Sequence, residues 1–143
     1  MKNINTGAKV EEYNIDGKIV LRFNPADATF VKNFNAAFKA LADAQSELAE
    51  AATTVDDEAF FDASAATNTK LRDILNDLFG EDICTPIWGT MDLTAISDGL
   101  PLWFNFMMAL IDEIDVDMKN IKAVRSARLD KYTAKYVKKS EEK

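Results

Sequence analysis

The sequence contains no histidine and a single cysteine, Cys84, among its 143 residues. It therefore cannot form an intrachain disulfide, a zinc site built from cysteine and histidine, or a nucleophile pair that requires a histidine. Between Ile83 and Thr85, the lone cysteine is expected to be a small buried apolar residue. Carboxylates are the only groups left for catalysis, so an enzyme is not expected, and no catalytic residue, metal or cofactor is assigned.

The sequence also lacks a glycine-rich phosphate loop, a GxSxG nucleophile elbow and a dinucleotide fingerprint. Three acidic residues, Asp112, Asp115 and Asp117, have a spacing that resembles a ligand set. A calcium loop needs a glycine at its sixth position and an acid at its twelfth, and neither alignment of this segment supplies both. These acids are therefore expected to lie on a solvated face of a helix.

Long apolar runs are absent as well. The most apolar stretch, LPLWFNFMMALI at 100–111, has 12 residues, whereas a membrane-spanning helix needs roughly 20. The first six residues are polar and do not resemble a signal peptide. With 48% hydrophobic residues, 29% charged residues and a net charge of -7, the chain is expected to be a cytoplasmic globular protein with a single core.

An N-terminal β-hairpin is predicted from two strand-like runs, 10–15 and 18–23, that flank an Asp-Gly dipeptide at 16–17. Asp-Gly is typical of type I′ turns. Val20 is expected to lie near Tyr13, so that neither face of the hairpin is fully solvated. Because an isolated two-stranded hairpin is only marginally stable, it is expected to pack on a helix and to pair along its edge with another strand or another subunit.

Three longer helices are predicted from apolar residues at helical spacing. The first begins after Pro25 or Asp27 and runs to about Ala52. The second follows the polar loop 53–57 and ends at Gly80, which is expected to be left-handed. The third begins near Pro101, preceded by an Asp-Gly pair, and carries the apolar stretch 100–111.

An irregular connector joins the second and third of these helices. The segment 80–101 holds three of the five glycines and two of the three prolines. It is too apolar for a free linker, so an ordered loop with short turns is predicted. Together these elements predict an α+β fold, mainly helical with three to four helices and an N-terminal β-hairpin. The domains are a hairpin plus helical core over 1–117 and a basic C-terminal helix or tail over 118–143.

Charge is distributed unevenly along the chain. Residues 1–117 contain 8 Lys/Arg and 21 Asp/Glu, which gives a formal charge of -13. Residues 118–139 contain 8 Lys/Arg and 1 Asp/Glu, which gives a formal charge of +7. The basic residues recur every three or four positions, which predicts one stripe of an amphipathic helix. Nucleic-acid binding is one interpretation, but the acidic remainder of the chain would repel a polyanion. The stripe, with Lys122, Arg125 and Arg128, is instead expected to steer the chain toward an acidic partner surface. The alternative is that these cations complement the dipole of a long helix and pair with the acidic body of the chain itself.

The apolar stretch 100–111 predicts a second binding feature. A helix that is apolar nearly all round is either buried on every side or covered on one side by a partner. A chain of this size rarely encloses a central helix completely, so part of the helix is expected to lie at an interface. The alternative is that it is an ordinary core helix. The candidate contact residues are Trp88, Leu102, Trp103, Phe106, Met107 and Leu110.

Four motifs, in this order, give the chain a family resemblance: LRFNPADATF after the hairpin, LFGED at the end of the second helix, PIWGTMDLTAISDGLPLWFNF in the connector, and the terminal RLDKYTAKY. Over residues 9–137 the chain resembles the small tail assembly chaperones of long-tailed phages and prophages of Gram-positive bacteria.

The resemblance implies a protein of the bacterial host cytoplasm, without enzymatic activity, that binds the tape measure protein and tail tube subunits. Pairing of hairpin edges is expected to make it a homo-oligomer. The alternative of a different class is a structural tail component, such as a connector or terminator subunit, that stays in the finished particle.

Overall fold

The computed structural model describes residues 1–4, 6 and 10–117, with the backbone alone of 115–117. In this part of the chain, an N-terminal hairpin is followed by four helices, and a second, very short hairpin precedes the last helix. The strands are β1 Glu11–Ile15, β2 Ile19–Phe23, β3 Ile96–Ser97 and β4 Leu100–Pro101, and the helices are α1 Ala28–Ala51, α2 Asp57–Phe79, α3 Cys84–Trp88 and α4 Leu102–Asp117. The predicted fold class, α+β and mainly helical with an N-terminal hairpin, is confirmed.

The chain divides into two units, Met1–Met107 and Met108–Lys143, so the boundary falls within α4. Of the second unit the structure describes the remainder of α4, in which Leu110 and Ile114 are buried. The basic helix predicted over 118–143 lies outside the described residues, and a domain boundary at residue 117 stays a prediction. Among the described helices, none combines the length and the apolar character needed to cross a membrane.

The N-terminal hairpin contains the predicted Asp-Gly turn. Asp16 and Gly17 have φ angles of 54° and 71°, the positive values that a type I′ turn requires. The Lys18 backbone N–H donates to the Ile15 carbonyl at 2.9 Å. The first pair of the ladder is Ile15 with Ile19, so three residues rather than two separate the strands.

This three-residue connection decides which side chains of the hairpin are buried. Tyr13 lies opposite Leu21, and both are buried, whereas Glu12 lies opposite Arg22 and forms an exposed ion pair with it at 2.7 Å. The expectation that Val20 lies near Tyr13 is wrong, because Val20 is on the face that carries Arg22. One additional residue in the connection moves every side chain of the second strand to the opposite face.

Helices α1 and α2 begin and end as the sequence predicts. The Asp27 side chain accepts a hydrogen bond from the Thr29 N–H at the start of α1, and Asp56 accepts one from the Ala59 N–H at the start of α2. Gly80 ends α2 with a φ of 72°. The two helices pack against each other. Among the described residues, the largest fully buried side chains are Phe38, Leu21, Leu41, Leu71, Leu75, Ile83, Leu93 and Met107.

Aromatic rings join the elements of the first unit. The Phe79 ring at the end of α2 lies 5.8 Å from that of Phe23 in β2, 6.2 Å from that of Phe30 in α1 and 6.3 Å from that of Phe106 in α4, measured between centroids. These separations are typical of stabilising ring contacts. The C-terminal end of α2 is therefore a junction between the hairpin, α1 and the first turns of α4.

Candidate partner-binding surface

The connector contains more regular structure than the sequence predicts. The segment predicted as an ordered loop with short turns holds the helix α3 and the β3–β4 hairpin. Asp98 and Gly99 have φ angles of 55° and 82°, and Ser97 lies opposite Leu100, so this Asp-Gly pair forms a two-residue turn. Strands of two residues show no alternation in sequence, so Asp-Gly was the one signal for this hairpin.

A row of polar side chains on α2 holds the connector backbone. Asn68, Arg72 and Asn76 are spaced four residues apart, which places them on one face of the helix. At the C-terminal end of the row, Asn76 Oδ1 accepts hydrogen bonds from the backbone N–H groups of Ile83 at 2.9 Å and Cys84 at 3.2 Å. One amide side chain thus provides an acceptor for two donors at the start of α3.

The other two residues of the row hold the second half of the connector. Arg72 Nη2 donates to the carbonyls of Gly89 at 2.8 Å and Met91 at 2.6 Å. Asn68 Oδ1 accepts from the N–H of the fully buried Leu93 at 2.8 Å. Irregular backbone has no regular ladder to satisfy its polar groups, so these side chains take its place. The four-residue spacing of Asn68, Arg72 and Asn76 is visible in the sequence, but the spacing does not show which backbone groups these side chains bond.

The beginning of α4 is tied to the same connector. The first N–H groups of a helix have no partner within the helix, and here the Leu102 N–H donates to the Ala95 carbonyl at 2.9 Å. In return, Asn105 Nδ2 donates to the Ser97 carbonyl at 2.8 Å. The connector is therefore bonded to α2 as far as Leu93, and its small hairpin is bonded to Asn105 of α4.

Four of the six apolar residues predicted to contact a partner have buried side chains: Trp103, Phe106, Met107 and Leu110. Within the first unit, the connector supplies part of the cover that a small chain was expected to lack. Trp88 lies edge-on to Phe106 with ring centroids 5.3 Å apart, and Trp103 Nε1 donates to Gln45 Oε1 of α1 at 3.0 Å. These four side chains are buried in this conformation, and their role in binding a partner stays a prediction.

The other predicted contacts have different environments. Trp88 and Leu102 are half-buried, so part of each side chain is accessible to a partner. Lys122, Arg125 and Arg128 lie outside the described residues. The partner-binding roles of all of these residues stay predictions.

Exposed apolar side chains are found instead on the connector itself. Ile96 is 65% exposed, Met91 53% and Leu100 40%. Ile96 pairs with Pro101 and Leu100 with Ser97, so Ile96 and Leu100 lie on opposite faces of the small hairpin and are both exposed. We use the term connector surface for the exposed or half-buried apolar residues of this segment, which lie on more than one of its faces: Trp88, Met91, Ile96, Leu100 and Leu102.

The titratable side chains at the start of α3, Asp82 and Cys84, have structural roles. Asp82 accepts a hydrogen bond from the Thr85 N–H at 3.1 Å, and hydrogen bonds from the Thr85 side chain and backbone lower the pKa of Asp82. Burial raises the pKa of the Cys84 thiol to about 12, so the thiol is protonated at neutral pH and is a poor nucleophile. In the part of the chain that the structure describes, no cluster of three acidic or cysteine side chains could hold a metal ion.

Comparisons with known proteins do not identify a relative. No family model, no curated protein and no solved structure matches this chain. The binding surface is therefore defined only by the residues and contacts of this chain.

Proposed function

We propose that this protein is a non-enzymatic tail assembly chaperone that uses the connector surface to bind apolar stripes of the helical tape measure protein, and that also recruits tail tube subunits. The exposure of Ile96, Met91 and Leu100 on one short, firmly held segment is the observation that supports a binding role. The order of sequence motifs that resembles the tail assembly chaperones supports the identity of the client.

The chemistry of the connector surface suits a client made of amphipathic helices. Apolar side chains on a helix dock into apolar surfaces through many small packing contacts rather than a fixed hydrogen-bond code. Met91 contributes a flexible, polarisable side chain that adapts to varied partners. Because Asn68, Arg72 and Asn76 hold the connector backbone, little conformational entropy is lost when a partner binds.

The N-terminal hairpin offers a second contact in this proposal. Strands β1 and β2 form a two-stranded sheet within the described residues, and a strand edge can pair with the same edge of another copy. Such pairing would line copies up along an extended client. Light scattering that shows a monomer at high micromolar concentration, with or without client, would contradict this part of the proposal.

Co-expression with a tape measure protein tests the proposal. The fraction of the client that stays in the supernatant after centrifugation is measured with the wild-type chain, an Ile96→Ser/Leu100→Ser variant, and a Val10→Ser control at an exposed apolar residue before β1. The wild type and the control are expected to keep the client soluble, and the double variant to lose most of this effect. Thermal unfolding of the purified variants verifies that they are folded.

The possible results of this experiment test the chaperone function and the proposed contact site separately. A client that aggregates with the wild-type chain would contradict the chaperone function. Full solubility with the double variant would contradict the connector surface as the contact. Mass spectrometry of purified particles then distinguishes a chaperone, which is absent from the mature tail, from a structural tail component, which is present.

A further inference from the structure

A second apolar surface lies where α1 turns into α2. Phe61 is 69% exposed and Val55 40% exposed, while Phe60 is half-buried. The Phe60 and Phe61 rings are neighbours, with centroids 6.2 Å apart. We call these three residues the helix-tip surface. An exposed phenylalanine beside further apolar side chains is a more informative feature than a single exposed leucine.

The surroundings of the helix-tip surface are uniformly acidic. Residues 40–69 contain seven Asp/Glu and no Lys or Arg. The flanking cations are engaged outside the tip, since Lys39 pairs with Asp43 at 2.9 Å and Lys70 lies 3.8 Å from Glu47. Four acidic residues at the tip have no ion pair within the part of the chain that the structure describes: Glu50, Asp57, Glu58 and Asp62.

We infer that the helix-tip surface binds the basic segment 118–139 of a second copy of this chain. That segment carries eight Lys/Arg and one acidic residue, which complements the acidic tip in charge. In sequence, Leu129 and Tyr132 lie among the basic residues, so the segment offers apolar side chains for Phe61 as well as cations for the carboxylates.

Each chain carries both halves of the complementary pair, so a second copy can supply the basic segment without any other protein. An interface between two different surfaces of the same chain is heterologous, so each added copy leaves one tip and one basic segment open. The body of each copy carries a formal charge of -13 over 1–117, which attracts a basic segment of another copy. The inference does not depend on the chaperone function, because no client takes part.

Self-association of the full-length chain tests the inference. Sedimentation velocity is measured for the wild type, for Phe61→Ser, and for Ile4→Ser as a control at an exposed apolar residue outside both proposed surfaces. At about 50 mM salt, the wild type and the control are expected to associate. Loss of the buried aromatic ring should weaken association about tenfold or more in Phe61→Ser. Association should also fall steeply at roughly 0.5 M salt. A monomeric wild type, or equal association of all three chains, would overturn the inference.

Crosslinking identifies the segments that meet. Isotopically light and heavy copies are mixed and treated with a zero-length carbodiimide reagent, which joins carboxylates to lysines. Peptides linking residues 57–62 to lysines of 118–139, with one light and one heavy partner, are the expected result. Links confined to a single isotope would mean that the segment binds its own chain, and the absence of such links would mean association elsewhere, for example through the hairpin edge. Either result overturns the inference.

Discussion

The α1–α2 pair and the connector that follows it both contain fully buried residues, but they are stabilised in different ways. In the helices, backbone groups bond within each helix, and fully buried apolar residues such as Leu41 and Leu75 supply the packing. The connector consists of a short helix, turns and a small hairpin, and three polar side chains of α2 bond the backbone of these pieces. A protein can thus present an irregular apolar segment to partners when a regular element next to it satisfies the segment's backbone.

The largest effect is expected from the packing of α1 and α2. Leu75→Ala removes a side chain with no exposed area and should lower the free energy of unfolding by about 2–5 kcal/mol, since both burial and packing are lost. Urea denaturation measures the change. Phe61→Ala, which truncates an exposed side chain, is the control and should stay within about 0.5 kcal/mol. Equal losses in both variants would contradict the assignment of the core.

A smaller and more local effect is expected from Asn76→Ala. Two part-buried backbone donors, at Ile83 and Cys84, lose their acceptor, which should cost about 1–3 kcal/mol. Asn33→Ala at an exposed position of α1 is the matched control, because it makes the same change in helix propensity. Hydrogen exchange should accelerate at residues 83 and 84 more than within α1. Uniform acceleration throughout the unit would show that the connector does not open separately.

Some of these structural features could be predicted from the sequence, and others could not. The helix limits near Asp27, Ala52 and Gly80 follow from caps and periodicity, which are local signals. The register of the first hairpin depends on one residue, Lys18, which the Asp-Gly signal does not specify. No local pattern predicts a long-range hydrogen bond such as that from the Leu93 N–H to Asn68 Oδ1.

The binding surface was the hardest part to predict. Apolar character places Met107 and Ile96 in the same class, yet one is fully buried and the other 65% exposed. The difference arises from tertiary packing. The start of α4 is covered by other segments of the first unit, as the contact between the Trp88 and Phe106 rings shows, whereas Ile96 is not covered. The apolar pattern of a helix does not predict which other segment of the chain will pack over that helix.

Alkaline pH should weaken the connector through Cys84. The folded-state pKa of the thiol is about 12 against an ordinary value of 9.0, so between these values the unfolded chain releases a proton that the folded chain keeps. The stability that the protonated thiol contributes is complete below pH 9 and is lost as the pH rises from 9 to 12. At pH 10 the loss in the free energy of unfolding amounts to about 1 kcal/mol. Urea denaturation from pH 8 to 10 measures it. The stability of Cys84→Ala, which has no thiol, should fall less over the same range. Parallel slopes would contradict the assignment.

The smallest effect is expected from Arg72→Lys. A lysine keeps the positive charge but lacks the planar group with which Arg72 bridges the Gly89 and Met91 carbonyls, and these bonds are partly exposed, so the cost should be about 0.5–1 kcal/mol. Limited proteolysis near residue 90 should become faster, while the rate within α1 is unchanged. Unchanged proteolysis in the connector would mean that the other two anchors suffice.

Site-specific photo-crosslinking to a tape measure client tests the central claim most directly, namely that partners contact the exposed connector and not the buried face of α4. A photo-activatable amino acid is placed at position 96 in one variant and at position 107 in another, and each is irradiated with the client. The predicted result is a strong crosslink to the client from position 96 and none from position 107. Crosslinks from position 107 with none from position 96 would contradict the claim, because they would mean that α4 is uncovered when the client binds.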